Sequence, residues 1–135
     1  MARIAGIDLP RNKRGEKRNC KAKKRNQIEK KDLQFVIATN LSTLNDSILD
    51  FCLEHEIYIS TSLDGPKELH NKNRPKPNRD SYQLTINGIK KVRKFLGPNK
   101  ISALMTTTEA SLPMVEEIID EYLFQGFDSI FLRSL

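Results

Sequence analysis

With 135 residues, 38% hydrophobic and 30% charged, the chain is long enough for one domain with a real core and short for an enzyme. The net charge of +6 is unevenly held: residues 1–31 carry +9 and residues 32–135 carry −3, so the folded part does not read as a nucleic-acid binder. No apolar run is long enough for a membrane span and no apolar signal core opens the chain, which excludes a membrane partner and leads us to expect a cytoplasmic protein.

Met1 to Arg14, MARIAGIDLPRNKR, closely resembles the start of the thirteenth protein of the bacterial small ribosomal subunit. That likeness ends there, because the apolar helix and glycine-rich turn of the family are missing. In their place stands GEKRNCKAKKRNQIEKK, nearly all Lys, Arg and Asn, in which only Cys20, Ala22 and Ile28 could form an apolar face. Residues 1–31 therefore read as a mobile basic segment. It suits either contact with RNA phosphates or a solvated lead-in.

Residues 32–135 read as one folded unit. Leu33 to Ala38 is a continuous apolar run, the pattern of a strand covered on both faces. Thr43 and Asp46 stand in capping-box spacing and open a helix with Leu44, Ile48, Phe51, Cys52 and His55 along one side. Cys52 and His55 are spaced as half of a metal site, but no second pair exists; a core cysteine and a helix-end histidine fit better. Cys20 and Cys52 lie in different surroundings and make no disulfide framework.

Ile57 to Leu63 alternates as a pleated strand and stops at Gly65-Pro66. Ser60, Ser62 and Asp64 form one polar row at its carboxyl end, and a hydrophilic loop with His70 and Arg74 comes next. Hydroxyls and a carboxylate can bind a sugar, and the Arg74 fork can reach a carboxylate or phosphate. The same row equally suits a polar turn that caps a strand.

Asp80 or Ser81 starts a second helix, with Ile86, Ile89, Val92 and Leu96 inward and Lys90, Lys91 and Lys94 toward water; Gly97-Pro98 ends it. Ile101 to Met105 is a third strand, ending in Thr106-Thr107-Thr108. Ser111 and Pro113 suit the first turn of a third helix, whose stripe is Val115, Ile118, Ile119, Tyr122 and Leu123. Asp128 to Leu132 is a fourth strand. Strand–helix alternation at this spacing predicts an α/β fold: an incomplete parallel (β/α) barrel of four strands and three helices on one face. No strand precedes the first and no helix succeeds the last, so two apolar edges are expected to lack partners.

TNL at 39–41, ISTSLDGPKELHNKNRP at 59–75, LMTTT at 104–108 and IFLRSL at 130–135 resemble the middle of a radical S-adenosylmethionine (AdoMet) enzyme. The nearest subgroup is the SPASM-type peptide- and protein-modifying maturases, such as anaerobic sulfatase maturases and the radical maturase of the His-Xaa-Ser system. The resemblance implies the third to sixth strands of a radical AdoMet partial barrel. It implies that Ser62 holds the methionine or ribose part of AdoMet, that Arg74 pairs with its carboxylate region and that Leu135 lies against the adenosine. The resemblance also makes Asn40 and Asp64 candidates for the same cavity, and the partner in the family is a peptide or protein substrate. The family's CxxxCxxC loop, which holds a [4Fe-4S] cluster, is absent, as are its GGEP segment and its cysteine-rich extension. We therefore expect no catalytic or metal-ligating residue and a chain that does not cleave AdoMet by itself. The expected origin is a fragment of such an enzyme, a gene fusion or an assembly error; the alternative function is an RNA- or ribosome-associated protein acting through residues 1–31.

Overall fold

The computed structural model describes residues 2–4, 7–9, 24–25, 27–30 and 34–134. In chain order the elements are β1 (Ala2–Ile4), β2 (Ile7–Leu9), β3 (Val36–Ala38), α1 (Asp46–Glu54), β4 (Tyr58–Ser62) and α2 (Lys67–Asn73). Then come α3 (Ser81–Leu96), β5 (Ile101–Thr107), α4 (Val115–Phe124) and β6 (Phe131–Ser134). One sheet holds all six strands in the order β2-β1-β3-β4-β5-β6. Strands β3 to β6 are parallel and in sequence order, with Ile37 opposite Ile59, Ile59 opposite Ile101 and Met105 opposite Leu132.

The period-two pattern decides which side of this sheet is dry. Ile37, Ile59, Thr61, Leu63, Ile101, Ala103 and Met105 are buried, and they meet Ile48 and Leu49 of α1, Ile86, Ile89 and Val92 of α3, and Ile118 and Tyr122 of α4. Tyr58, Ser60, Ser62, Ser102, Leu104 and Thr106 face the other way and are only half-buried. Of the expected strand Leu33–Ala38, Leu33 lies outside the described residues, and β3 is not covered on both faces. Ile37 is buried, but Val36 is 45% exposed, because the helices all pack on one side.

Several local expectations change for identifiable reasons. The edge of β3 is not bare: β1 pairs antiparallel with it, and β2 with β1. Asn45, not Thr43, caps α1, accepting the Ile48 N–H at 2.9 Å. The stretch after Gly65-Pro66 is helix α2 rather than a loop. Glu109–Met114 forms a 3-10 turn before α4, closed by Ser111, whose Oγ accepts the Thr108 N–H at 3.0 Å and donates to the Thr108 carbonyl at 2.7 Å. The α4 stripe is split: Ile118 and Tyr122 are buried, whereas Val115, Ile119 and Leu123 are exposed because no described element packs beyond β6. Helix α3 starts and ends as its caps predict, with the Asp80 side chain accepting the Gln83 N–H and Gly97 closing the last turn.

Tyr122 ties α4 to the end of β4. Its hydroxyl donates to the Leu63 carbonyl at 2.6 Å in the core. Tyr122→Phe is expected to lower stability by about 1–2 kcal/mol, because it leaves that carbonyl without a partner. Urea unfolding checks this; an unchanged midpoint would mean that the bond contributes nothing net.

Most of the basic segment lies outside the described residues, as does Cys20. Lys24, Arg25 and residues 27–30 are exposed, and Arg25 pairs with Glu29 at 2.7 Å. No described helix is long and apolar enough to cross a membrane.

Candidate functional site

The polar groups gather where the parallel strands end. β4 leaves the sheet at Ser62, and Gly65, at φ 130°, turns the chain into α2 in a backbone conformation that glycine adopts most readily. Helix α2 then runs back over the rim and presents His70 and Arg74. Asn71 locks it to the next helix: its carbonyl accepts from the Ser81 hydroxyl at 2.7 Å and the Tyr82 N–H at 2.8 Å, and its amide donates to Asp80 at 3.0 Å. Asp80 also meets Lys67 at 2.6 Å. The bonds from Lys67, Asn71 and the Gln83 N–H hold its carboxyl well below the usual carboxylate range.

Asp64 and Arg74 form the charged centre of this rim. Arg74 Nε lies 2.7 Å from Asp64 Oδ2 and one Nη lies 3.2 Å from Oδ1, a two-point fork. The same Nη donates to Thr106 Oγ1 at 3.2 Å, and the Thr106 N–H donates to Asp64 Oδ1 at 3.1 Å. The Asp64 side chain is 1% exposed and that of Arg74 is 34% exposed. Asp64 is thus covered by Arg74, and Arg74 faces outward.

His70 supports Asp64 from behind. Its Nδ1 accepts the Asp64 N–H at 3.2 Å, which places the ring proton on Nε2, 3.4 Å from the Thr85 hydroxyl. Burial pulls its pKa below the ordinary 6.5; the charge on Asp64 opposes that shift, Arg74 and Lys76 add to it, and Asp80 opposes it. The unfolded chain therefore binds this proton more readily than the folded one. The resulting stability is fully present above about pH 6.5 and is lost as the pH falls. We expect the urea midpoint to drop from pH 7 to pH 5, and the slope to flatten in His70→Asn, which keeps an acceptor but does not titrate. A midpoint equally pH-dependent in both proteins would assign the effect elsewhere.

Asn40, Ser62, His70, Arg74, Lys76 and Thr85 line one cavity of about 130 Å³. Of the residues singled out in the sequence, Asn40, Ser62 and Arg74 therefore come together. Asp64 sits behind Arg74, and Leu135 lies outside the described residues. Lys76 and Thr85 were not singled out. Thr85 stands on α3 and Lys76 just past α2, a helix that Pro66 followed by the helix-forming Lys67-Glu68-Leu69 could have signalled.

The cysteine chemistry is elsewhere. Cys52 is buried on the helix side of the sheet, and burial pushes its thiol up to about 11. His55 packs edge-on against Phe51, with ring centroids 4.5 Å apart. Among the described residues no group of three His, Cys, Asp or Glu could hold a metal ion.

No protein-family profile matches the chain. It is 33% identical over 95 residues to an uncharacterized protein of Methanothermobacter thermautotrophicus (strain Delta H), an overlap of 70% of this chain and 34% of that protein. Among solved structures it is similar to native anSMEcpe, an anaerobic sulfatase-maturing enzyme, with bound AdoMet: TM-score 0.69, 18% identity, 85% of this chain and 31% of the other. The same enzyme with AdoMet and the Cp18Cys peptide matches at TM-score 0.72, with 17% identity over 91% of this chain and 34% of the other. With AdoMet and the Kp18Cys peptide the values are 0.63, 21%, 72% and 26%. The chain thus spans about a third of the proteins it matches, and the likeness to the solved structures shows the fold: part of an α/β barrel, four parallel strands with their helices, as in these structures.

Proposed function

We propose that this rim binds S-adenosylmethionine, and that the chain is part of a radical AdoMet maturase acting on a peptide or protein. The observation that carries the reading is the convergence of Asn40, Ser62 and Arg74 on one cavity at the carboxyl ends of parallel strands. Ligands in such folds are met there, because each strand delivers its following loop to the same edge. Arg74 supplies the cation for the AdoMet carboxylate and Ser62 a hydroxyl for its methionine or ribose part; Asn40 borders the same space, and Leu135 is assigned to the adenosine. Asp64 acts through Arg74, holding its fork in place. The fold shared with an AdoMet-bound, peptide-bound enzyme supports both halves of the proposal.

The described residues do not fit an iron–sulfur cluster. The one cysteine among them is buried away from the rim, and no three metal-ligating side chains cluster. The proposal is accordingly one of binding.

Ser62 suits the test, since its hydroxyl makes no hydrogen bond among the described residues. Calorimetric titration should show saturable AdoMet binding, weakened about three- to tenfold in Ser62→Ala, the worth of one ordinary hydrogen bond. Absence of saturable binding by the wild-type chain would sink the proposal. Equal affinity in both proteins would remove Ser62 from it.

A further inference from the structure

The wall of the rim cavity carries a second cation to which the proposed function gives no role. Lys76 lines the same space as Arg74, and its ammonium makes no hydrogen bond or ion pair among the described residues. Its backbone is held by a tight turn: Lys76 and Arg79 form an antiparallel bridge, and the Arg79 N–H donates to the Lys76 carbonyl at 3.2 Å. The turn fixes where the Lys76 side chain starts, on the wall of the cavity that Arg74 also lines.

The neighbouring groups are donors as well. The Asn40 carbonyl oxygen is occupied by the Ser42 N–H at 3.1 Å and the Ser42 hydroxyl at 2.6 Å, which leaves its amide to face a ligand. Arg74 commits Nε and one Nη to Asp64 and Thr106, and its other Nη makes no bond among the described residues. Both nearby carboxylates are engaged: Asp64 by Arg74, and Asp80 by Lys67 and Asn71. One unpaired cation, Lys76, with the uncommitted Nη of the Asp64-paired Arg74, an amide and a hydroxyl, and with no free carboxylate beside them, is complementary to an oxyanion.

We propose that Arg74 and Lys76 jointly hold one oxyanion, a carboxylate or phosphate, and that Lys76 sets the preference for ligands that carry one. The proposal rests on the AdoMet reading only for the ligand's identity, in which case the oxyanion is the methionine carboxylate. Lys76 acts here as a charged donor, and Arg74, held in place by Asp64, adds its one uncommitted Nη.

The full-length chain and Lys76→Gln are titrated with AdoMet, with decarboxylated AdoMet and with inorganic phosphate. Lys76 is half-exposed and unpaired among the described residues, so the variant retains the fold, which circular dichroism verifies. The expected result is about a tenfold loss of AdoMet affinity in Lys76→Gln, with decarboxylated AdoMet within about twofold of wild type. Equal losses for both nucleosides, or no loss for either, overturn the assignment while leaving AdoMet binding intact. If neither nucleoside binds the wild type, the AdoMet reading fails and phosphate decides. Saturable phosphate binding weakened in Lys76→Gln then upholds the oxyanion subsite, and its absence overturns it.

Discussion

Arg74→Ala is expected to lower stability by about 3 kcal/mol, the lower end of the range for breaking a buried pair by removing one partner. The cost arises at Asp64, whose side chain is 1% exposed and whose only charged partner is Arg74 among the described residues. The Thr106 N–H remains on Asp64 Oδ1, but one neutral donor does not offset a lost guanidinium. Asp64→Asn should cost less, about 1–2 kcal/mol, because the charge it leaves behind belongs to Arg74, which is already 34% exposed to water. The double variant should recover part of the Arg74→Ala loss, since the buried charge is then gone. Urea unfolding of the three proteins reads this order directly. If Arg74→Ala costs no more than Asp64→Asn, burial of the carboxylate is not what makes the pair matter. A binding defect in Arg74→Ala alone is thus ambiguous, and Ser62 and Lys76 are the cleaner probes of the cavity.

Gly65→Ala is expected to be of similar severity, about 3 kcal/mol, by two mechanisms that add. An L-residue at φ 130° is strained, at about 1–3 kcal/mol. A Cβ there would also lie 2.8 Å from Ile118 Cγ1 and 3.2 Å from Leu69 Cδ2, and overpacking costs about 1–3 kcal/mol more. Gly97 separates the two causes: its φ is 99°, but an added Cβ meets nothing within 4 Å. Gly97→Ala should therefore show the strain alone, at about half the loss. Equal losses at the two positions would assign the whole effect to the backbone. No loss at Gly65 would mean that the turn relaxes, and α2 with Arg74 should then shift away from Asp64.

The elements themselves were largely legible in the sequence, since each is specified by neighbours two to four residues apart. Alternation from Ile57 to Leu63 put Ile59, Thr61 and Leu63 on the dry face, and the α3 stripe with Asp80 and Gly97 at its ends is found as expected. Repeated strand–helix units then leave little choice but a parallel sheet in sequence order. Helix α2 escaped because its seven residues, KELHNKN, bury only Leu69 and His70 and show no apolar period. The α4 stripe misled for the opposite reason. A period shows that a face is apolar, not that anything covers it, and Val115, Ile119 and Leu123 stay exposed.

The sequence alone specifies the four parallel strands, the main helices, and the placement of Asn40 and Ser62 at one sheet end, because strand ends in such a sheet share an edge; Arg74 reaches that edge from the end of α2. What those side chains do there depends on packing between distant segments. Arg74 spends its fork on Asp64, ten residues back, and on Thr106, 32 residues on, so that Asp64 is withdrawn from the cavity and Lys76 is left facing it. Which charges neutralise one another depends on distances set across separate crossovers. No local period encodes those distances; they come into being when the strands pack side by side.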